Sequence, residues 1–420
     1  MIINGKRLYI SIRCLICDSP AAAYILGIKQ HNAYFSCRKC TVQGEWKNKV
    51  VFLSENEQMR TDQSFRNRLQ IAHHNNFSPF EDLEDFNMID QVPLDYLHLV
   101  LLGTTKKLLQ LWVSTKSKPK VNIIQLQKLC SNFMGLNPWI PKDFARKGHP
   151  LLELGRWKAT TFRLFLLYAG LIILEGVLPE EYIQHFNVLS CAIRILSHPI
   201  YYKTYNSYAH DLLVYFVQQF KTLYGEQYVS WNMHSIIHLA KDAEMHGPLD
   251  FFSAFPYENF MQTIKRMLRK KGMYLQQIHR RLVEKSSLKI KKNNNEVNYP
   301  ILLHPVIKKL PDGCYHCHKT LKFLNFELKD SRPNNTFVTV NDEIVLIDRI
   351  CKQNDNIVVI GREFLKKEDL PNYPMRSTQM GISIVSNLST AKIYAVKDIR
   401  NKACLFFHDE KTVCIPLLHH

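Results

Sequence analysis

Two pairs of residues, far apart in the sequence, together have the types and spacing of a metal site. Cys37 and Cys40 lie in SCRKC, and His234 and His238 lie in MHSIIH. Zinc takes four nitrogen or sulfur ligands in a tetrahedron, and histidines four positions apart on a helix project from one face. The four residues therefore make a complete Cys₂His₂ set for zinc. The alternative is two buried thiols and two unrelated histidines, and spacing alone leaves both interpretations open.

Three carboxylates follow or interrupt apolar stretches that could hold them rigidly: Asp18, Asp95 and Glu258. Carboxylates fixed by a scaffold bind Mg²⁺, which activates water and stabilises a leaving oxygen in phosphoryl transfer. An isolated acid more often lies on the surface or caps a helix. Asp95, with His98 three positions later, fits the N-cap of the helix that LHLVLLG predicts. Asp18, Asp95 and Glu258 are therefore possible magnesium ligands, each with a surface or capping role as the alternative, and the capping role is favoured for Asp95.

A strongly basic segment follows Glu258. Between Lys265 and Lys292 there are 11 Lys or Arg residues and one acid, Glu284, in a chain whose formal net charge is +18. Such an excess suits a polyanionic partner, of which DNA is the default. A solvated helix face is the alternative, but the imbalance favours DNA. The candidate DNA-binding residues are Lys265, Arg266, Arg269, Lys270, Lys271, Arg280 and Arg281.

The remaining cysteines give less information. Cys314 and Cys317 in GCYHCHK have His316 and His318 beside them but no distant partner pair, so we interpret them as structural. The chain has 420 residues and 11 cysteines, an odd and scattered set that indicates reduced thiols rather than a disulfide framework.

Targeting signals are not evident. The first residues, MIINGKRLYISIRCLIC, do not have the pattern of a signal peptide, and no stretch approaches the roughly 20 apolar residues of a membrane span. We therefore expect an intracellular protein, nuclear from its charge, with no membrane partner and no small-molecule substrate.

The segments that must position these residues have sequence patterns that predict an α+β protein. Residues 7–17 are rich in β-branched and apolar types and predict a strand, after which Pro20 predicts the first turn of a helix. Residues 54–92 are polar and predict a solvated connection. From 94 to 285, apolar residues recur at three- and four-residue spacing, which predicts successive helices.

The composition changes near residue 286. SSLKIKKNNNEVNYP predicts a polar linker, and later segments such as EIVLIDRI and NIVVIG predict a small β-domain, either a sandwich or a barrel. We therefore divide the chain into residues 1–93, 94–285, a linker at 286–310 and a C-terminal β-domain at 311–420.

The sequence resembles the transposases of the CACTA (En/Spm-like) DNA transposons, in their animal version, over nearly the whole chain. The matching motifs are, in order, CDSPA, HNAYFSCRKCTVQGEW, PLDYLHLVLLGTTKKLL, WKATTFRLFLLYAG, HSIIHL, GPLDFFSAFPYENFMQTIKRMLR and the final CIPLLHH. The resemblance implies an RNase H-like α/β core interrupted by a large all-helical insertion, a DDE acid triad and a split zinc site, similar to the catalytic core of the V(D)J recombinase. Residues 1–93 would then be a partial RNase H-like core.

The resemblance also implies roles for single residues. Asp18 matches the second acid of the triad, and Glu258 matches its glutamate, on the helix that returns from the insertion. The two Cys and two His of the candidate zinc site match the family's two zinc pairs. Asp95 and His98 match its Asp-x-x-His motif, which we interpret as a structural or DNA-positioning element.

The sequence departs from the family at the first acid of the triad, and this departure determines the catalytic activity that we expect. The family's first acid lies on a strand ahead of Asp18, and the 17 residues before Asp18 contain no Asp or Glu. We therefore expect a transposase fragment that binds transposon ends and target DNA, with a homodimer as one arrangement, but whose Mg²⁺-dependent cleavage and strand transfer are impaired. Two alternatives are a non-catalytic DNA- or chromatin-binding zinc protein, and a complete triad of Asp18, Asp95 and Glu258.

Overall fold

The structure is a computed structural model that describes residues 2–3, 6–7, 11–114, 117–289, 299–306, 316–353 and 356–418. Helices dominate up to residue 289, and antiparallel strands follow from residue 301. The α+β class predicted from the sequence is therefore confirmed. No helix in these described ranges is long and apolar enough to cross a membrane.

Thirteen α-helices are found in the described residues. They are α1 (Ser19–Leu26), α2 (Asp62–Arg66), α3 (Lys106–Val113), α4 (Ile123–Gly135), α5 (Ala159–Leu164), α6 (Gly170–Ile173), α7 (Glu180–Ser197), α8 (Tyr201–Thr204), α9 (Asn206–Tyr224), α10 (Trp231–Ser235), α11 (Leu239–His246), α12 (Phe255–Met267) and α13 (Tyr274–Lys289). Two π-helical segments, Leu97–Thr105 and Phe165–Ala169, lead directly into α3 and α6.

A cluster of large aromatic side chains forms the centre of the helical body. Trp112, Phe165 and Phe186 are fully buried, and their rings contact one another at centroid distances of 5.7–6.4 Å. Burying one such side chain stabilises a fold by roughly 1.5–3 kcal/mol. Helices α7 and α9 pack together, α11 lies beside them, and α10 packs against the π-helical segment Leu97–Thr105. This rigid core fixes the position of the histidine pair.

The strand predicted at residues 7–17 is found only at its first residue among those described. Arg7 ends a two-residue strand that begins at Lys6, residues 8–10 lie outside the described residues, and residues 11–17 are not in a strand. The Leu15 amide donates to the Gln91 carbonyl at 2.7 Å, and within the described ranges no strand lies alongside to complete a ladder. The prediction was wrong there because a strand depends on a neighbour that local sequence does not specify.

Strands in the described part of residues 1–93 are short. They are β1 (Ile2–Ile3), β2 (Lys6–Arg7), β3 (Glu45–Trp46) and β4 (Val50–Val51), paired as β1 with β2 and β3 with β4. The RNase H-like core therefore remains a prediction.

Residues 54–92 form a small core with α1 rather than the predicted solvated connection. Phe65, Phe86 and Met88 are buried against Ala22 and Leu26. The expectation was wrong because a few widely spaced apolar residues in a polar stretch are enough to cover one short helix.

The C-terminal strands close into a ring. They are β5 (Ile301–Val306), β6 (His316–Lys322), β7 (Glu327–Lys329), β8 (Thr336–Thr339), β9 (Ile344–Gln353), β10 (Asn356–Glu368), β11 (Ser383–Leu388), β12 (Lys392–Ala395), β13 (Ile399–His408) and β14 (Lys411–Pro416). The antiparallel order β8–β9–β10–β11–β14–β13 returns to β8. Strand β6 pairs with β9 and carries β5 and β7, and β12 pairs with β10.

The strand ring shares a hydrophobic core with the helices. Phe406 and Ile415 belong to the same buried cluster as Phe186. The buried guanidinium of Arg194 on α7 donates to the Pro416 carbonyl at 3.0 Å. The range 286–310 that we predicted as a linker contains secondary structure. Helix α13 extends into it as far as Lys289, and β5 (Ile301–Val306) lies within it.

Candidate metal centre and acidic cluster

The two cysteines lie on a loop that is held from both sides. The chain from Lys39 to Thr41 pairs with residues 58–60: Cys40 bridges to Met59, and the Arg60 amide donates to the Lys39 carbonyl at 2.8 Å. The Arg60 side chain donates to the Cys37 carbonyl at 3.0 Å. On the opposite side, the indole of Trp231 on α10 donates to the Ser36 carbonyl at 3.2 Å. These bonds fix the loop against the helical body.

The histidine pair spans a change in helix geometry. Helix α10 ends at Ser235, and a tight 3₁₀ turn, Ile236–His238, leads into α11. The two imidazoles nevertheless lie together, with ring centroids 5.3 Å apart and ring planes inclined at 70°. Both are buried, at 0% and 4% exposure.

The two pairs meet and form a compact cluster, which we call the metal centre (Cys37, Cys40, His234 and His238). Cys37 Sγ lies 3.5 Å from Cys40 Sγ and 3.5 Å from His238 Nε2. Cys40 Sγ lies 3.3 Å from His234 Nε2. All four ligand atoms lie within 4.8 Å of one another.

These separations suit a tetrahedral metal ion. Zinc bonds of about 2.3 Å to sulfur and about 2.0 Å to nitrogen place neighbouring ligand atoms roughly 3.3–3.8 Å apart in a tetrahedron. The closest contacts of the metal centre, 3.3–3.5 Å, fall in that range. The structure therefore contains a buried Cys₂His₂ cluster that could hold a metal such as zinc.

The pKa values of the two thiols are shifted in opposite directions. Burial raises the pKa of the Cys37 thiol, but the hydrogen bond from Cys40 and the neighbouring His238 outweigh burial, so the pKa of Cys37 is lowered well below its ordinary value of 9.0. The hydrogen bond to Cys37, together with burial, raises the pKa of Cys40. A metal ion that bound both sulfurs would displace the remaining proton.

Buried charges surround the metal centre, and sequence reasoning missed them. Lys39 Nζ lies 2.6 Å from Asp242 Oδ1, with both side chains almost fully buried. The second carboxylate oxygen of Asp242 accepts from the Leu94 amide at 2.8 Å. Asp242 follows His238 by four positions, as His238 follows His234, and this repeated spacing was the available signal.

Arg38 is a buried cation beside the metal centre. It is 4% exposed, and its Nε and Nη1 have no hydrogen-bond partner in the part of the chain that the structure describes. Burial lowers its pKa, while Asp242 and Asp95 oppose that change. Arg38 therefore interacts electrostatically both with Cys37 of the metal centre and with the carboxylates of Asp242 and Asp95.

Asp95 caps the first helical segment of the body and connects it to α12. Its carboxylate accepts from the amides of Leu97 at 3.3 Å and His98 at 3.0 Å. It also accepts from the amide of Ala254, just before α12, at 2.7 Å. The buried Asp95 carboxylate is therefore occupied by backbone donors from two elements.

His98 connects Asp95 to Glu258. Its Nδ1 lies 2.5 Å from Asp95 Oδ2, and its Nε2 lies 3.8 Å from Glu258 Oε1. The hydrogen bond to Asp95 raises the pKa of His98 above its ordinary 6.5, with further contributions from the charges of Asp95, Asp18 and Glu258. These four residues, Asp18, Asp95, His98 and Glu258, are the acidic cluster.

The acidic cluster lacks the geometry of a preformed metal site. Asp18 Oδ1 accepts from the Ala21 amide at 2.8 Å and so caps α1. Glu258 lies in the first turn of α12 with a side chain 59% exposed. Among the described residues, the group of three or more ligands within 4.8 Å is the metal centre. Magnesium binding by Asp18 and Glu258 is therefore not supported by this geometry.

The predicted DNA-binding residues lie on the hairpin of α12 and α13. Gln277 fixes the turn between these helices: its side chain accepts from the amides of Arg269 and Lys270 and donates to the carbonyls of Lys270 and Gly272. Six of the seven candidates are exposed: Lys265, Arg266, Arg269, Lys270, Lys271 and Arg280. The seventh, Arg281, is partly exposed and pairs with Glu284 at 2.6 Å. Lys292 lies outside the described residues.

The other cysteine pairs do not extend the metal centre. Cys14 and Cys17 also have CxxC spacing, but Cys14 packs against the main core and Cys17 against the core of α1. Cys314 lies outside the described residues, and Cys317 lies in β6 opposite Cys351 of β9.

Comparisons with known proteins match only the C-terminal part of the chain. A model for a domain of unknown function (DUF8592) matches residues 298–417, the range of the strand ring and its attached strands. Neither the curated proteins nor the solved structures contain a match to this chain.

Proposed function

We propose that this chain is a zinc-stabilised, DNA-binding protein of the CACTA transposase type, with little or no strand-cleaving activity of its own. The observation that carries the proposal is the α12–α13 hairpin. Exposed Lys and Arg side chains cover a helix pair that begins beside Glu258 and the acidic cluster. Phosphate neutralisation is the physical use of such a surface.

Zinc is the metal that we propose for the metal centre. Two sulfur and two nitrogen donors at tetrahedral spacing favour zinc over the hard cations, which take oxygen ligands. When bound, the ion would join the Cys37–Cys40 loop to α10 and α11. The protein's own residues then connect α11 to the start of the DNA-binding hairpin, because Asp242 on α11 accepts from the Leu94 amide and the adjacent Asp95 accepts from the Ala254 amide just before α12.

We propose weak catalysis because few carboxylate oxygens in the acidic cluster are available to bind metal ions. Two-metal phosphoryl transfer needs several acidic oxygens facing one pair of ions. Asp95 is occupied by backbone amides and His98, which leaves Asp18 and Glu258 as the accessible pair. We therefore propose that Mg²⁺ binds weakly, that DNA is held rather than cut, and that the protein acts in the nucleus, where a homodimer could hold two DNA segments.

DNA binding can be tested by fluorescence anisotropy with a labelled duplex over a series of salt concentrations. We expect the logarithm of affinity to fall linearly with the logarithm of salt, by about 0.9 per phosphate bound. The Lys270→Glu/Lys271→Glu variant should bind at least about tenfold more weakly, and its salt slope should fall by about 1 for each phosphate that is no longer neutralised. The matched control reverses two exposed lysines elsewhere, Lys128→Glu/Lys147→Glu.

Two results would overturn the proposal. Equal weakening in the hairpin and control variants would show that net charge, rather than the hairpin, binds DNA. Mg²⁺-dependent nicking that disappears in Glu258→Gln would show that the acidic cluster is catalytically competent.

A further inference from the structure

Two thiols outside the metal centre lie directly opposite each other in the C-terminal β-structure. Cys317 of β6 pairs with Cys351 of β9 in an antiparallel register. Their sulfur atoms are 3.1 Å apart, and both side chains are buried, at 6% and 0% exposure. Val358 and Ile360 of the neighbouring strand pack around them.

We propose that Cys317 and Cys351 are a redox modification site that forms a cross-strand disulfide. Directly opposed residues in an antiparallel pair have Cα atoms about 4.5–5.5 Å apart, which lies within the span of about 4.4–6.8 Å that a disulfide bridges. The bond can therefore form without moving either strand. Neither DNA binding nor zinc binding is needed for this inference.

A disulfide between Cys317 and Cys351 would connect two parts of the β-structure. Strand β6 pairs with the strand ring through His316, Cys317 and His318, opposite Lys352, Cys351 and Ile350 of β9. Strands β5 and β7 pair in turn with β6. A disulfide at the middle of the three-residue register locks this three-stranded extension onto the ring.

A second cysteine pair on neighbouring strands provides a contrast. Cys404 of β13 and Cys414 of β14 are one position out of register, since Cys404 pairs with Ile415 and Leu405 pairs with Cys414. Neighbouring positions point to opposite faces of a sheet, and the two side chains accordingly belong to different buried clusters. Proximity in the sheet alone therefore does not make a disulfide site.

The oxidant that we propose is a small-molecule disulfide such as oxidised glutathione. The thiolate of Cys317, the more exposed of the two, attacks that disulfide, forms a mixed disulfide and releases one glutathione thiolate, which takes up a proton. The thiolate of Cys351 then attacks the Cys317 sulfur, closes the protein disulfide and releases the second glutathione. Two protein thiols are oxidised, and one glutathione disulfide is reduced to two thiols.

The test incubates the full-length protein, as purified, with either oxidised glutathione or dithiothreitol, followed by alkylation under denaturing conditions and peptide mapping by mass spectrometry. We expect a linked Cys317–Cys351 peptide, a chain mass lower by about 2 Da through removal of two hydrogens, and a higher midpoint of thermal unfolding. The Cys351→Ser variant should show none of these three changes, whereas the matched Cys404→Ser variant should show all of them.

Other outcomes would overturn the inference. Recovery of both thiols as alkylated peptides after oxidation would show that the pair does not react. Accumulation of a glutathione adduct on Cys317 without closure would show that Cys351 is wrongly placed. The wild-type peptide map decides the question even if a serine variant fails to fold.

Discussion

Cys40 Sγ lies 3.3 Å from His234 Nε2, although 194 positions of the chain separate the two residues. This approach joins a short N-terminal loop to the end of α10. Three further interactions follow the same path: Trp231 with Ser36, Phe52 with Val229, and Lys39 with Asp242. The metal centre is therefore the middle of a larger interface between the N-terminal loop region and the helical body.

The buried Lys39–Asp242 pair should be essential for stability. Lys39→Met leaves the Asp242 carboxylate buried without its cation, and removing one partner of a buried pair costs about 3–5 kcal/mol. The control is Lys241→Met, which removes an ion pair with Glu244 on the same helix whose side chains are 58% and 60% exposed. That control should cost less than about 1 kcal/mol. Urea unfolding of the purified protein measures both, and equal effects would refute the assignment.

Asp95 should be important as a cap even if no metal binds it. Asp95→Ala removes the acceptor for the amides of Leu97, His98 and Ala254. Removal of a cap costs about 0.5–2 kcal/mol, and a buried unsatisfied amide adds about 1–3 kcal/mol, so we expect the free energy of unfolding to fall by about 2–4 kcal/mol. Asp18→Ala removes a more exposed cap and should cost about 1 kcal/mol. A larger effect for Asp18 than for Asp95 would contradict the structure.

His98 should bind its proton more tightly in the folded protein than in the unfolded chain. Its pKa is raised above 6.5, first by the hydrogen bond to Asp95. The resulting stabilisation is complete at pH values below 6.5 and is lost as the pH rises through the raised pKa. NMR titration of the imidazole measures the pKa directly. Asp95→Asn should lower it more than Glu258→Gln, and a wild-type midpoint at or below 6.5 would exclude the hydrogen bond to Asp95.

The sequence predicted the metal centre better than the fold around it. The two Cys and the two His could be selected as a candidate set because ligand chemistry limits both residue type and local spacing, although spacing alone left the metal and non-metal interpretations open; the structure brings the two pairs together. The C-terminal β-domain, expected as a sandwich or a barrel, was predictable from short runs of β-branched and apolar residues such as EIVLIDRI, most of which lies in β9. Both signals are local.

The features that were missed depend on partners that are distant in the sequence. Residues 11–17 have the composition of a strand but, within the described ranges, no strand beside them. Phe65 and Phe86 lie in a polar stretch, and their burial follows from the position of α1. The packing of Phe406 and Ile415 into the helical core could not be seen from either half alone. The pairing of Cys317 with Cys351 depends on a strand register that turns and loops determine.

Zinc content is the measurement that tests the proposed metal centre most directly. Metal analysis of the purified protein should find about one zinc per chain, and the Cys40→Ser and His234→Ala variants should lose it together with thermal stability. Cys130→Ser, which changes a buried thiol away from the metal centre, should retain the metal. A wild-type protein that is folded, stable and free of zinc would contradict the proposal.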